Sequence, residues 1–198
     1  MTRFALLGVA SAMVLAACSN DREARPGSAA AVKPAAANPA VGGAAMLADR
    51  TIVGNAAAAP TLSTLVAAVK AAGLVDTLSG PGPFTVFAPT DAAFARLAPG
   101  TVDTLLKPEN KAALTKVLNY HVVAGTLSAA DLTARVAAGG GTATLTSVEG
   151  EPLTLTLTEG HLTLTDVGGN KSYVEVGDVR QSNGVVHVVN GVLVPKLE

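Results

Sequence analysis

Side chains able to carry chemistry are sparse in this chain of 198 residues: one cysteine, Cys18, three histidines, His121, His161 and His187, and no tryptophan. A single thiol cannot close an intramolecular disulfide. No Gly-x-Ser-x-Gly elbow occurs, and no histidine pair at helical metal spacing comes with a carboxylate. Gly80-Pro81-Gly82 begins like a dinucleotide fingerprint but leads into a strand pattern, with Thr85 where the third glycine would stand. Gly139-Gly140-Gly141 lacks the Lys-Ser/Thr of a phosphate loop and reads as a connection after a helix. The expectation is therefore a protein that is not an enzyme, with no catalytic, metal or cofactor-binding residues. Strict alternation in Val185 to Val189 puts His187 on the apolar face of Val185 and Val189, the setting of a hydrogen-bonded core histidine rather than a ligand. His121 is expected to be structural, with partner contact as the alternative, and His161 to be solvated beside a turn. Fourteen Lys+Arg against fifteen Asp+Glu give a net charge of −1, so the basic surface that nucleic-acid binding rests on is missing.

The elements that position these residues fall into three zones. Arg3 precedes the uncharged run Phe4 to Ala17, which at helical rise is too short to cross a hydrocarbon core of about 30 Å and suits a signal peptide over residues 1–17. Leu15-Ala16-Ala17-Cys18 resembles the lipobox of bacterial lipoproteins, which implies a membrane anchor through lipid on Cys18, and Ser19 after it leans toward the outer membrane. Ala, Pro and Gly make up 16 of residues 19–45, with no sustained apolar period. Residues 18–45 are therefore expected to be the lipidated cysteine and a disordered tether, of roughly 30 Å coil reach.

From about Met46 the pattern is that of a folded domain, over residues 46–198. Thr61 to Gly73 predicts a helix with Thr61 as N-cap and a glycine stop, and Phe84 to Ala88 a strand. Thr90 or Asp91 starts a short helix to Leu97, helical turns follow at 102–106 and 108–118, then a strand at Tyr120 to Val123 and a helix at 128–136. After the glycines the period switches to two. Leu153, Leu155 and Leu157 alternate with threonines, as do Leu162 and Leu164, and a two-residue Glu159-Gly160 turn would face Leu157 with Leu162 and Leu155 with Leu164. The threonines would face outward or toward a polar layer. Strands are also expected at Tyr173 to Val176, Val185 to Val189 and Val192 to Val194, with Asn190-Gly191 as a type I′ turn or a bend. Helices first and a meander afterwards read as an α+β domain built around β-sheet.

Three segments resemble the fasciclin-type (FAS1) domain: Phe84 to Phe94 (FTVFAPTDAAF), Asn183 to Pro195 (NGVVHVVNGVLVP), and Tyr120-His121 between them. The resemblance implies a compact β-sandwich or wedge flanked by several short helices in the N-terminal half, and a role in adhesion at a cell surface or matrix. In adhesion-type members of animal matrices the Tyr-His element and an Asp-Ile pair before the second signature are implicated in receptor binding. They correspond to Tyr120, His121, Asp178 and Val179, with Val179 in place of the isoleucine and Gly177 and Arg180 differing from the animal pattern. Tyr120 packed in the core with its hydroxyl bonded is the competing role. Together these features suggest an exported fasciclin-domain lipoprotein at the bacterial cell envelope, facing periplasm or cell surface and mediating adhesion or binding of an unknown surface protein or glycan. The alternative is an envelope-maintenance protein that contacts cell-wall polymer or another periplasmic protein without external adhesion.

Overall fold

The computed structural model describes residues 38–97 and 100–196. Cys18, the expected signal peptide and most of the expected tether lie outside the described residues. The packed body already includes Asn38, eight residues before Met46: Val41 and Met46 are both buried in the core, and the Asn38 amide bonds Arg180 through both its oxygen and its nitrogen.

Short helices dominate the first half: α1 (Ile52–Ala56), α2 (Ser63–Ala72), α3 (Val75–Ser79), then strand β1 (Phe84–Pro89), α4 (Asp91–Ala95), α5 (Thr101–Leu105) and α6 (Lys111–Tyr120). Strand β2 (Val122–Ala124) and helix α7 (Ala129–Ala138) lead into β3 (Thr142–Thr146), β4 (Pro152–Thr158), β5 (His161–Thr165), β6 (Lys171–Gln181) and β7 (Gly184–Val189). The strand order is β2-β1-β7-β6-β5-β4-β3. All neighbours are antiparallel except β1 and β7, the two signature strands, which run parallel from Phe84 opposite Gly184 to Pro89 opposite Val189. The two edges meet where Val123 bridges Ser147 and the Val148 amide donates to the Val122 carbonyl at 2.8 Å. The sheet is thus mixed and nearly closed into a wedge or barrel, with helices outside it.

Alternation along the central strands makes two cores. Val86, Ala88, Val186 and Val188 face the helices, packing with Leu65, Val69, Leu114 and Leu118. Phe87 and Val189 point the other way, onto Leu132 and Val136 of α7 and onto Leu145, Leu153, Leu155 and Leu164. The three signature phenylalanines are therefore divided: Phe84 and Phe94 lie on the helical side and Phe87 in the barrel.

Several local expectations hold. The β4–β5 hairpin has the expected register, Leu157 opposite Leu162 and Leu155 opposite Leu164, through a turn in which Glu159 and Gly160 have φ of 53° and 83°. Both positive values fit a type I′ turn. Thr90 caps α4 by accepting from the Ala93 amide, and Gly73 ends α2 in the left-handed conformation with the Leu74 amide returning to the Val69 carbonyl. Others change. Pro60–Leu62 forms a 3-10 turn, so Thr61 does not cap α2; Asp91 does so from another helix, accepting from the Thr64 amide at 2.8 Å and the Ser63 hydroxyl at 2.7 Å. Tyr120 closes α6 instead of opening a strand, because its backbone completes the helix and pairing starts at Val122. Strand β3, without a sustained apolar period, was not expected. Thr163 is fully buried rather than outward-facing.

Val192 to Val194 is not a strand. Gly191 and Asn190 lack the positive φ of a type I′ turn, and the chain bends away from the sheet. Its amides find side chains instead: Leu193 N donates to His121 Nε2 at 3.0 Å, Val194 N to Asp166 at 2.9 Å and Lys196 N to Glu151 at 3.1 Å.

Candidate functional site

Of the four residues singled out for partner contact, three are interior. Tyr120 is fully buried and its hydroxyl donates to the Pro152 carbonyl at 2.9 Å; burial pushes its phenol up to about 12. His121 is buried between α6 and the C-terminal strap. Its Nδ1–H donates to the Val117 carbonyl at 2.7 Å, leaving Nε2 to accept from Leu193. Burial lowers its pKa to about 4, against the opposing pull of the Val117 carbonyl and Asp166, so the ring is neutral. Val179 is 1% exposed and packs on the helical side of the sheet. A partner meeting the folded domain reaches none of the three: each lies on an inward-facing position.

Asp178 is the exception. It sits half-buried in the irregular stretch of β6 between Val176 and Val179, with φ of 57°, a left-handed conformation that aspartate tolerates better than most residues. Its Oδ1 accepts from the Ala129 amide at 2.7 Å, the first residue of α7, and its own amide donates to His187 Nδ1 at 3.3 Å. His187 is fully buried as expected, stacked on Phe87 with ring centroids 5.6 Å apart, and its Nε2–H donates to the Leu127 carbonyl at 2.8 Å. Burial lowers its pKa as well, the Leu127 carbonyl and Asp178 opposing. The histidine thus props the backbone that presents Asp178. His161 is exposed at the start of β5.

Asp178 opens onto an open groove of about 720 Å³. One wall is the start of α7, with Ser128 and Asp131; the other is β6 and its turn into β7, with Arg180, Gln181 and Ser182; the floor is Pro81-Gly82-Pro83 against Asn183-Gly184. Ser128 and Asp131 form a capping box, and the Ser128 hydrogen bonds hold the Asp131 carboxyl below the usual carboxylate range. The floor is tightly built. Phe84 N donates to the Asn183 carbonyl at 3.1 Å, and a Cβ on Gly82 or Gly184 would collide with the Asn183 or Phe84 carbonyl. The Asn183 side chain accepts from Ile52 N and donates to the Leu78 and Gly80 carbonyls, tying the turn to the start of α1 and the end of α3. The groove floor thus joins the start of the second motif to the segment that leads into the first. Among the described residues no group of three or more His, Cys, Asp or Glu could hold a metal ion, and no helix is long and apolar enough to cross a membrane.

This arrangement coincides with a family pattern: the sequence profile of the fasciclin domain matches residues 60–195. The chain belongs to the fasciclin domain family. It is 49% identical over 147 residues to Protein sll1483 of Synechocystis sp., covering 74% of each chain, and 34% identical over 167 residues to the cell surface glycolipoprotein MPB83 of Mycobacterium bovis, covering 81% of this chain and 68% of that one. The fold is similar to a FAS1 domain pair from the insect cell adhesion molecule Fasciclin I, with a TM-score of 0.64 at 20% identity over 75% of this chain and 51% of the pair. The fasciclin signatures thus serve as framework: β1 and β7 side by side, with the Tyr-His element locked beneath the C-terminal strap.

Proposed function

We propose that this fasciclin-domain protein is an exported, lipid-anchored binding module of the bacterial envelope, attached through Cys18 and mediating adhesion or protein or glycan binding through the groove beside Asp178. The observation that carries the reading is the groove itself: Asp178 is the one residue of the four expected contacts that opens outward, and it does so into a cleft whose floor joins the start of the second signature to the segment leading into the first. Buried motif residues cannot supply contact area, whereas a cleft of this size lies within the range of about 300–1,000 Å³ common for ligand sites. Support for surface location comes from the apolar run ending at Cys18 and from the printed name of the MPB83 relative, a cell surface glycolipoprotein. Support for adhesion comes from the fold shared with Fasciclin I, a cell adhesion molecule. Two acyl chains anchor stably where one does so marginally. In this reading the lipid on Cys18 holds the domain near the outer membrane.

Deleting residues 47–198 while keeping the anchor is expected to reduce attachment or aggregation of cells, and unchanged adhesion across several assays contradicts the reading. Protease shaving of intact cells separates display at the surface from a periplasmic role on cell-wall polymer: digestion supports the first, protection the second. For the anchor, Cys18→Ser is expected to leave an unprocessed or soluble precursor, and membrane partition that survives the change removes the lipid assignment.

A further inference from the structure

The side chains around the groove restrict what it can hold. Asp131 and Asp178 spend one oxygen each on consecutive amides of the α7 entry: Asp131 Oδ2 accepts from Ser128 N at 3.0 Å and from its hydroxyl at 2.6 Å, and Asp178 Oδ1 accepts from Ala129 N at 2.7 Å. The second oxygen of each makes no hydrogen bond among the described residues. The partial positive charge of the helix start is thus already answered twice over, so this wall disfavours an anion and, with Arg135 as the nearby cation on Asp131, still offers a cation two carboxylate oxygens that make no hydrogen bond. Across the sequence of β6, two residues beyond Asp178, Arg180 has the opposite role. Its backbone N–H and C=O are both held by the Asn38 side chain, while its exposed guanidinium has no carboxylate partner among the described residues. A free guanidinium is a ready bidentate site for a carboxylate. Between the two lies the floor of prolines and glycines, and no aromatic ring lines the groove for a sugar face to stack on.

We infer that the groove binds an extended peptide segment carrying a basic and an acidic side chain a few residues apart, the base meeting Asp131 and Asp178 and the acid meeting Arg180. The inference rests on the groove being the ligand surface. Selectivity comes from charge of both signs on one fixed frame: a purely cationic peptide leaves Arg180 unpaired, a purely anionic one meets the two carboxylates, and a neutral oligosaccharide engages neither. Asp131 and Arg180 are exposed and Asp178 is half-buried, so each contact is individually weak and recognition depends on making them together.

The test uses the full chain in detergent micelles and capped hexapeptides: Ala-Lys-Ala-Ala-Glu-Ala, its Lys-only, Glu-only and Gln-substituted forms, and chitotetraose as the sugar probe. Amide shifts in NMR titrations report both affinity and place. The mixed-charge peptide is expected to bind most tightly, to shift amides at 126–131 and 178–185, and to weaken between 50 and 300 mM salt. Arg180→Gln and Asp131→Asn should each weaken it about three- to tenfold, while His161→Ala, outside the groove, leaves it unchanged. Equal binding of the neutral peptide or the sugar, or binding without salt dependence, overturns the charge assignment while leaving the groove as the site. Shifts that map elsewhere, or no peptide binding at all, also overturn it. If, in addition, filling the groove by Ser182→Trp leaves cell attachment intact, the reading of the groove as ligand surface fails with it.

Discussion

Lowering the pH should loosen the C-terminal strap through His121, by an amount the structure allows to be worked out. The imidazole accepts from Leu193 N through Nε2, so protonation destroys the acceptor and puts a charge in a fully buried site. Its folded pKa of about 4 lies below the ordinary histidine value of 6.5. Between these values the unfolded chain binds the extra proton and the folded one does not, so stability is complete above pH 6.5 and is lost as pH falls toward 4. At about 1.4 kcal/mol per unit, His121 alone removes roughly 2 kcal/mol by pH 5 and roughly 3 kcal/mol by pH 4. His187, also lowered by burial, acts in the same direction. The assay is urea unfolding at half-unit steps from pH 7.5 to 4.5, comparing the native domain with His121→Gln, whose amide keeps a donor and an acceptor but does not titrate. The native slope should exceed that of the variant by close to one proton over pH 5–6, and the protection factor of the Leu193 amide, relative to its intrinsic exchange rate at each pH, should fall in acid before that of the β4–β5 hairpin. Parallel slopes refute the reasoning: the histidine would then be able to take up a proton in the folded state at little cost.

Three other outcomes follow from single contacts. Asp91→Ala should destabilise the domain by about 1–2 kcal/mol in thermal or urea unfolding, because it uncaps α2 from the outside. The Ser63 and Thr64 hydrogen bonds hold the Asp91 carboxyl below its usual range despite the opposing effect of burial, so this contribution is lost as pH falls through that lowered pKa. Gly184→Ala should cost about 2 kcal/mol or more, since backbone of β1 rather than a movable side chain stands in the way, and the loss should appear as a lowered unfolding midpoint. Tyr120→Phe should cost about 1–2 kcal/mol through the unpaired Pro152 carbonyl, yet leave ligand binding by the folded protein unchanged.

The parts legible in the sequence are those where local chemistry decides. Leucines at a spacing of two around Glu159-Gly160 specify the β4–β5 register, since a slip of one residue would turn all of them outward. Ser128 and Thr90 mark real helix starts because their hydroxyls reach amides three residues on. What stayed hidden depends on distant partners. The α2 cap comes from Asp91, 27 residues from Thr64, and the segment after Gly191 looks like a strand although the amides of Leu193, Val194 and Lys196 go to His121, Asp166 and Glu151 instead of a neighbouring strand. The packed start at Asn38 rests on a bond to Arg180, 142 residues away, which an Ala- and Pro-rich composition conceals. The candidate site divided along the same line. The family resemblance covers Tyr120, His121 and Val179, which are framework, and Asp178, which is half-buried at the groove with its left-handed backbone and its carboxylate bonded to α7. Gly184 in the second signature and Gly82, two residues before the first, are the signal for the groove floor, but their need for close approach shows only once β1 lies beside β7.

Attachment of cells carrying the full chain with Ser182→Trp tests the central claim most directly. Ser182 is exposed on the groove wall, away from both cores, so the indole fills the cleft without disturbing the fold. Attachment is expected to fall to the level of cells carrying the anchor alone while the unfolding midpoint stays that of the native protein. Attachment at the native level, with the domain folded and displayed, would contradict the assignment of the groove as the binding surface.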